Sequence, residues 1–154
     1  MDSKDRQILS ELQANGRLTN QELSERVNLS PSPCLRRVRL MEEAGIIRGY
    51  TALVDQKAWG LPVTAFIRIK LERHSDERVQ AFERAIMAMP EVIDCWLMTG
   101  QVDYQLRVIA ADLDAYEAFV RGKLQRLTGI ASIDTNFAYG HVKHSQVYPP
   151  AGVV

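Results

Sequence analysis

The sequence predicts an α+β protein in two parts, a helical N-terminal unit over 1–54 and a β-α-β-β-α-β unit over 63–154, joined by a linker at 55–62. Three observations predict it. Apolar residues recur at helical spacing up to Met41, strict alternation takes over from Val63, and the break between the patterns contains Gly60 and Pro62.

In the first unit, Ile8, Leu9 and Leu12 mark a short amphipathic helix from Asp2 to Asn15, with Gly16 as its stop. Thr19 followed by Glu22 forms a capping box, and Leu23 with Val27 gives the next helix an apolar face. That helix ends near Asn28. A third helix follows at once: Ser30 is a natural N-cap, Pro31 fits the first helical position, and Gly45 fits just past the last turn. The connection Asn28-Leu29-Ser30 is too short for two helices to fold back antiparallel, so they cross at a large angle, as in a helix-turn-helix. On the third helix Cys34, Leu35, Val38 and Met41 fall on the inner side, while Ser32, Pro33, Arg36, Arg39 and Leu40 point elsewhere. Beyond Gly45, the β-rich run from Ile46 to Val54 fits the wing of a winged helix-turn-helix.

In the second unit, Val63, Ala65, Ile67, Ile69 and Leu71 share one strand face. Ser75 caps a helix with Val79, Phe82, Ile86 and Met89 in its stripe, which Pro90 terminates. Val92 to Thr99 and Tyr104 to Ala110 read as hairpin partners joined by Gly100 to Asp103. Asp112 caps a second helix carrying Leu113, Tyr116, Val120, Leu124 and Leu127, stopped by Gly129, and Ile130 to Tyr139 is the last strand. This order is the ferredoxin-like split motif, with both helices on one face of a four-stranded antiparallel sheet. The other face also carries apolar residues, Phe66 and either Trp96 with Met98 or their neighbours. A partner sheet from a second copy is the simplest cover, so the second unit is expected to dimerise.

The whole chain of 154 residues, 46% hydrophobic and 25% charged, has an ordinary globular composition with room for a sizeable core. Its 19 Lys/Arg balance 19 Asp/Glu, so overall charge points to no partner. The local pattern does: between Glu25 and Glu42 lie Arg26, Arg36, Arg37 and Arg39 and no acid. Cys34 and Cys95 occupy expected core positions of different segments, which favours free thiols in a reducing compartment. No signal-peptide pattern and no apolar run of about 18 residues is present, so a cytoplasmic protein without a membrane partner is expected.

The stretches D-R-Q-I-L, G-R-L-T-N-Q-E-L-S-E-R-V-N-L-S-P-S-P-C-L-R-R-V-R, G-I-I-R-G-Y-T-A-L-V-D and T-G-Q-V-D-Y, running from Asp5 toward Tyr148, resemble the Lrp/AsnC (feast/famine) transcriptional regulators. That resemblance implies a winged helix-turn-helix reading double-stranded DNA and a ferredoxin-like amino-acid-sensing domain, in homodimers that often assemble into octamers. Leu40 departs from expectation, since a polar group would suit its outward position beside Arg36.

On recognition-helix geometry, Ser32, Pro33 and Arg36 face bases, Arg37 and Arg39 flank the groove, and Ser30 with the helix N-terminus takes a phosphate. Arginine fits either role, bridging guanine O6/N7 or gripping a phosphate. The alternative is a solvated face in which these arginines pair with Glu42 and Glu43. For the effector, the G-x-x-D-Y loop is the candidate: Gly100 lets backbone N–H groups approach an α-carboxylate, and Asp103 meets an α-ammonium or fixes the loop. A plain hairpin turn is the competing reading. The resemblance places this loop, Gly100, Gln101, Val102, Asp103 and Tyr104, at a subunit interface, with Met98, Thr99 and Asn136 of the last strand as further lining.

His74, His141 and His144 invite a metal, but His141 and His144 are three apart near a strand and point to opposite faces. No metal, no cofactor and no enzyme is expected: there is no nucleophile–base–orienter set and no phosphate-binding glycine loop. Trp59 and Trp96 are expected to be buried, at the linker and at a dimer interface. The competing function is an effector-independent architectural protein that wraps DNA.

Overall fold

The computed structural model describes residues 1–73, 75–143, 145 and 147–149. They divide into two compact units, Met1–Leu53 with the described residues from Lys143 onward, and Val54–Val142. The C-terminal segment thus groups with the helices rather than with the sheet, where the sequence reading of 63–154 put it. One reason is local: the Tyr148 backbone N–H donates to Gln13 Oε1 at 2.8 Å.

The first unit is a helix-turn-helix. Helix α1 spans Ser3–Ala14, α2 Asn20–Arg26 and α3 Pro31–Glu43. The Thr19–Glu22 capping box forms as expected, and α1 has one too, built from Asp2 and Asp5. Helix α2 closes with Asn28 at φ 52, where Leu29 N–H reaches Ser24 C=O and Asn28 N–H reaches Glu25 C=O. Helix α3 closes the same way: Gly45 stands at φ 68, with Gly45 N–H on Glu42 C=O and Ile46 N–H on Met41 C=O. Both ends are Schellman motifs, which satisfy the last carbonyls and turn the chain sharply. The core is small: Ile8, Leu23, Val27, Cys34 and Met41 are buried, with Leu9, Leu12, Leu18, Val38 and Ile47 packed around them. Leu35, expected inside, is partly exposed.

The run from Ile46 to Val54 forms no strand, contrary to the expected β wing. A lone extended segment leaves its N–H and C=O groups without a ladder partner, and β-propensity counts for little without one. Instead Tyr50 pins it: the hydroxyl donates to Glu42 Oε1 at 3.0 Å and the ring lies 3.7 Å from where a Cβ on Gly16 would stand.

The second unit contains β1 (Val63–Leu71), α4 (Asp76–Met87), β2 (Val92–Leu97), β3 (Tyr104–Ala110), α5 (Leu113–Gly122) and β4 (Ile130–Phe137), with sheet order β2-β3-β1-β4 and antiparallel pairing throughout. This is the expected βαββαβ arrangement. Ala65, Ile67, Ile69, Leu71, Leu106 and Val108 form the covered face under Phe82, Ile86, Phe119 and Leu124. The predicted second helix is shorter than expected, since α5 stops at Gly122 and Leu124–Arg126 is a 3-10 turn that still buries Leu124.

The sheet register settles the other face. Trp96 pairs with Gln105, and Phe66 with both Arg107 and Asn136, so Trp96, Phe66 and Ile109 lie together there. Arg107 pairs with Asp94 at 2.6 Å and Arg68 pairs with Asp134 on the same side. The apolar patch is narrower than expected because these polar side chains occupy so many of its positions. Cys95 is exposed on edge strand β2, not in the core as expected, while Cys34 is buried. Trp59 is exposed rather than buried, at 71%, and Trp96, expected at a dimer interface, is 44% exposed in the single chain.

Candidate nucleic-acid interface and effector loop

Three neighbours hold α3. Asn20 Nδ2, at the start of α2, donates to Pro31 C=O at 2.9 Å. Arg37 Nη1 donates to Asp2 Oδ2 and Asp5 Oδ1, both at 2.7 Å, and the Arg37 side chain is only 27% exposed. The Ile46 and Ile47 N–H groups both reach Met41 C=O. Helix α1 also grips α2, with Lys4 Nζ on Val27 C=O at 2.6 Å and Arg26 paired to Glu11 at 3.1 Å.

What remains outward on α3 is a short polar surface. Ser30, Ser32, Pro33, Arg36 and Arg39 are all exposed. The Ser30 hydroxyl makes no capping bond, and because Pro31 and Pro33 carry no N–H and the Cys34 N–H is on Ser30 C=O, the start of α3 offers an anion that hydroxyl and the Ser32 N–H. Among the described residues Arg36 and Arg39 form no ion pair, and Glu42 is taken by Tyr50; the competing picture of a salt-bridged face does not hold. Arg37 is held differently. Its ion pairs to α1 set it apart from Arg36 and Arg39, and the helical wheel carried the clue: Arg37 lies about 60° from Cys34, toward the inner side. The D-x-x-D at Asp2 and Asp5 was the other missed signal. Leu40 is exposed and lines a concavity of about 270 Å³ with Met1, Asp5, Arg36, Arg37, Met41 and Ile46.

The effector candidates are held differently. Gly100 sits at φ 109, with nothing near the position of a Cβ. Met98 N–H donates to Asp103 C=O at 2.8 Å and Asp103 N–H to Ile69 C=O at 2.9 Å, and the Asp103 carboxylate accepts the Leu71 N–H at 2.7 Å. Asp103 therefore ties the loop to the end of β1, the structural half of its expected role. Tyr104 is buried on the helix-covered face, with its ring 4.7 Å from Phe82 and its hydroxyl donating to Glu83 Oε1 at 2.8 Å. Burial, and then that carboxylate, push its phenol well above the usual range. Asn136 is exposed on the opposite face, across from Phe66. One chain thus does not bring Tyr104 and Asn136 to a common cavity; Met98, Thr99, Gly100 and Gln101 form the exposed part of the set, with Val102 half-buried.

Two family models match, a winged helix-turn-helix DNA-binding domain over residues 1–48 and an Lrp/AsnC ligand binding domain over residues 64–148. The chain belongs to the Lrp/AsnC family. It is 42% identical to a leucine-responsive regulatory protein of Rhizobium meliloti, covering 88% of this chain and 85% of that one. It is 36% identical to the DNA-binding transcriptional activator DecR of Escherichia coli, over 97% of this chain and 98% of the relative. A transcriptional regulator of Neisseria meningitidis, solved as a complex with L-Met, superposes with a TM-score of 0.92 at 40% identity, covering 100% of this chain and 99% of the other. This protein is an Lrp/AsnC-type DNA-binding transcriptional regulator.

Of the histidines that raised a metal, His74 and His144 lie outside the described residues. Among the described residues no three His, Cys, Asp or Glu cluster as a metal site would require, and no helix is long and apolar enough to cross a membrane.

Proposed function

We propose that the outward face of α3 enters the major groove, with Ser32, Pro33 and Arg36 at base edges and Arg39 and Ser30 at phosphates, and that an amino acid bound at the Gly100 loop controls it. The single observation that carries the DNA half is the pairing pattern on α3: among the described residues Arg36 and Arg39 stand exposed without acid partners while Arg37 is held by α1. Unpaired arginines at the start of a recognition helix suit guanine and phosphate contacts. Arg36→Glu should abolish binding to any duplex in fluorescence anisotropy and leave the circular-dichroism spectrum and hydrodynamic size unchanged. Retained binding would overturn the assignment.

The effector half rests on the Gly100 loop and on the Neisseria meningitidis relative, whose complex holds L-Met. Because Tyr104 and Asn136 face opposite sides of one sheet, the reading has a second copy complete the site. Phe66, Trp96 and Ile109, framed by the Arg107–Asp94 and Arg68–Asp134 pairs, form the face on which that copy would pack, giving a homodimer that can build toward an octamer. Its two α3 helices would then meet successive major grooves about 34 Å apart on a roughly palindromic site. The protein would act in the cytoplasm, without turnover or cofactor. One observation favours the rival, an architectural DNA-wrapping protein: the Asp103 carboxylate already serves the Leu71 N–H. A thermal-shift screen against the twenty amino acids separates the two. A ligand at about 100 times its dissociation constant stabilises by about 2.7 kcal/mol, whereas a protein that senses nothing shows no shift with any of them.

A further inference from the structure

The first turn of α1 does two jobs with the same pair of carboxylates. Asp2 Oδ1 accepts the Asp5 N–H at 2.9 Å and Asp5 Oδ2 accepts the Asp2 N–H at 2.8 Å, which closes the cap of α1. The remaining oxygens, Asp2 Oδ2 and Asp5 Oδ1, converge on one nitrogen of Arg37. The cap thus fixes the carboxylates before they grip α3, so the pair costs less side-chain freedom than two flexible acids would.

Apolar packing holds α3 through Cys34 and Met41, with Val38 beside them. The helix buries just Cys34 and Met41, and Arg37 lies between them on the same side. The Asn20 bond to Pro31 pins the N-terminal end, and the bonds of Ile46 and Ile47 to Met41 C=O and of Tyr50 to Glu42 tie the C-terminal end to the segment that follows, but none of these reaches α1. The Arg37 pairs supply the polar tie between the middle of α3 and α1, about two turns beyond Pro31.

We infer that Asp2 and Asp5 are positioning residues for DNA recognition, setting through Arg37 the angle at which α3 presents Arg36 and Arg39 to the bases. The inference rests on the reading of α3 as the helix in the groove. It has an unusual sign: two acids beside a polyanion oppose binding by charge alone, yet here they favour the correct site over others. Asn at both positions keeps an oxygen for each cap bond and removes only the ion pairs, so the double variant isolates the grip on α3.

The test compares two duplexes, one selected from a random library by the unchanged full-length protein and one of scrambled sequence and equal composition. With Asp2→Asn and Asp5→Asn together, affinity for the scrambled duplex should rise while the ratio of selected to scrambled affinity falls about tenfold or more. Arg37→Gln should lower the ratio likewise. Arg37→Lys should hold it within about threefold of the unchanged protein, because a single nitrogen makes both contacts. An unchanged ratio in the Asn double variant, with both duplexes bound more tightly, would overturn the inference and leave the acids as bulk charge. Equal weakening on both duplexes would also overturn it, as loss of folded protein. Arg36→Glu on the same duplexes keeps the premise separate: if that variant still binds, the reading of α3 has failed, and if it does not, the Asn result judges the positioning role alone.

Discussion

The two regions that matter for function are finished to different degrees within one chain. On α3 the working surface is complete: the capped ends, the buried Cys34 and Met41 and the Arg37 anchor leave Ser32, Pro33, Arg36 and Arg39 facing outward. In the Gly100 loop the polar groups face inward. Asp103 holds β1 and Tyr104 holds Glu83, so only Met98 to Gln101 stay fully exposed. On the proposed function, the difference teaches that a reading helix needs only a rigid support, whereas a sensing loop tied into its own sheet would need a second surface to close around a ligand.

The largest effect should come from preventing that second surface from forming. Phe66→Asp puts a charge on the open sheet face, and light scattering should report monomers. DNA affinity should then fall about 10²–10⁴-fold with loss of bivalent binding, and any amino-acid-induced thermal shift should vanish, while the helical content is unchanged. A dimer that persists would show that another surface joins the copies. Next in size, Asp103→Ala leaves the buried Leu71 N–H without its acceptor and should cost about 1–3 kcal/mol in denaturant unfolding. Gln101→Ala, in the exposed part of the loop, should stay within about 0.5 kcal/mol yet lose the response to amino acid. If the two variants behave alike, the loop is structural throughout.

A smaller effect is expected with pH. The Asp5 backbone N–H and then Arg37 hold the Asp2 carboxyl below its usual range, and the Asp2 backbone N–H and then Arg37 do the same for Asp5. Lowered carboxyl groups stabilise the fold above their unfolded value, and that contribution disappears as pH falls through the folded one. Thermal unfolding by circular dichroism should therefore show the full, pH-independent contribution of this pair between pH 7 and about 5 and a progressive loss below about pH 4. The Asp2→Asn, Asp5→Asn double variant should show a shallower acid decline; an identical one would mean the pair contributes nothing to stability.

The sequence was most legible where local chemistry decides the outcome. Thr19 with Glu22, Ser30 with Pro31, and Gly45 marked helix ends because caps depend on residues three or four apart, and alternation from Val63 marked a strand whose two faces meet different surroundings. It was least legible where the partner is remote. Ile46 to Val54 has strand composition but no neighbouring strand to pair with. Cys95 looks like a core residue until the sheet order makes β2 an edge. Arg37 reads as one more cation in a basic cluster until Asp2, 35 positions away, is seen beside it. Charge along the chain counted four arginines alike; among the described residues the fold distinguishes Arg26 and Arg37, which are paired, from Arg36 and Arg39, which are not.

That distinction is tested most directly by the salt dependence of duplex affinity for Arg36→Ala, Arg39→Ala and Arg37→Ala. Each phosphate contact contributes about 0.9 to the slope of log affinity against log salt concentration. Arg39→Ala should lower the slope by about that amount per protomer, Arg36→Ala should weaken binding chiefly at the selected sequence, and Arg37→Ala should leave the slope unchanged. A slope lowered by Arg37→Ala and untouched by Arg39→Ala would contradict the account, because it would put the paired arginine on the phosphates and the free one off the DNA.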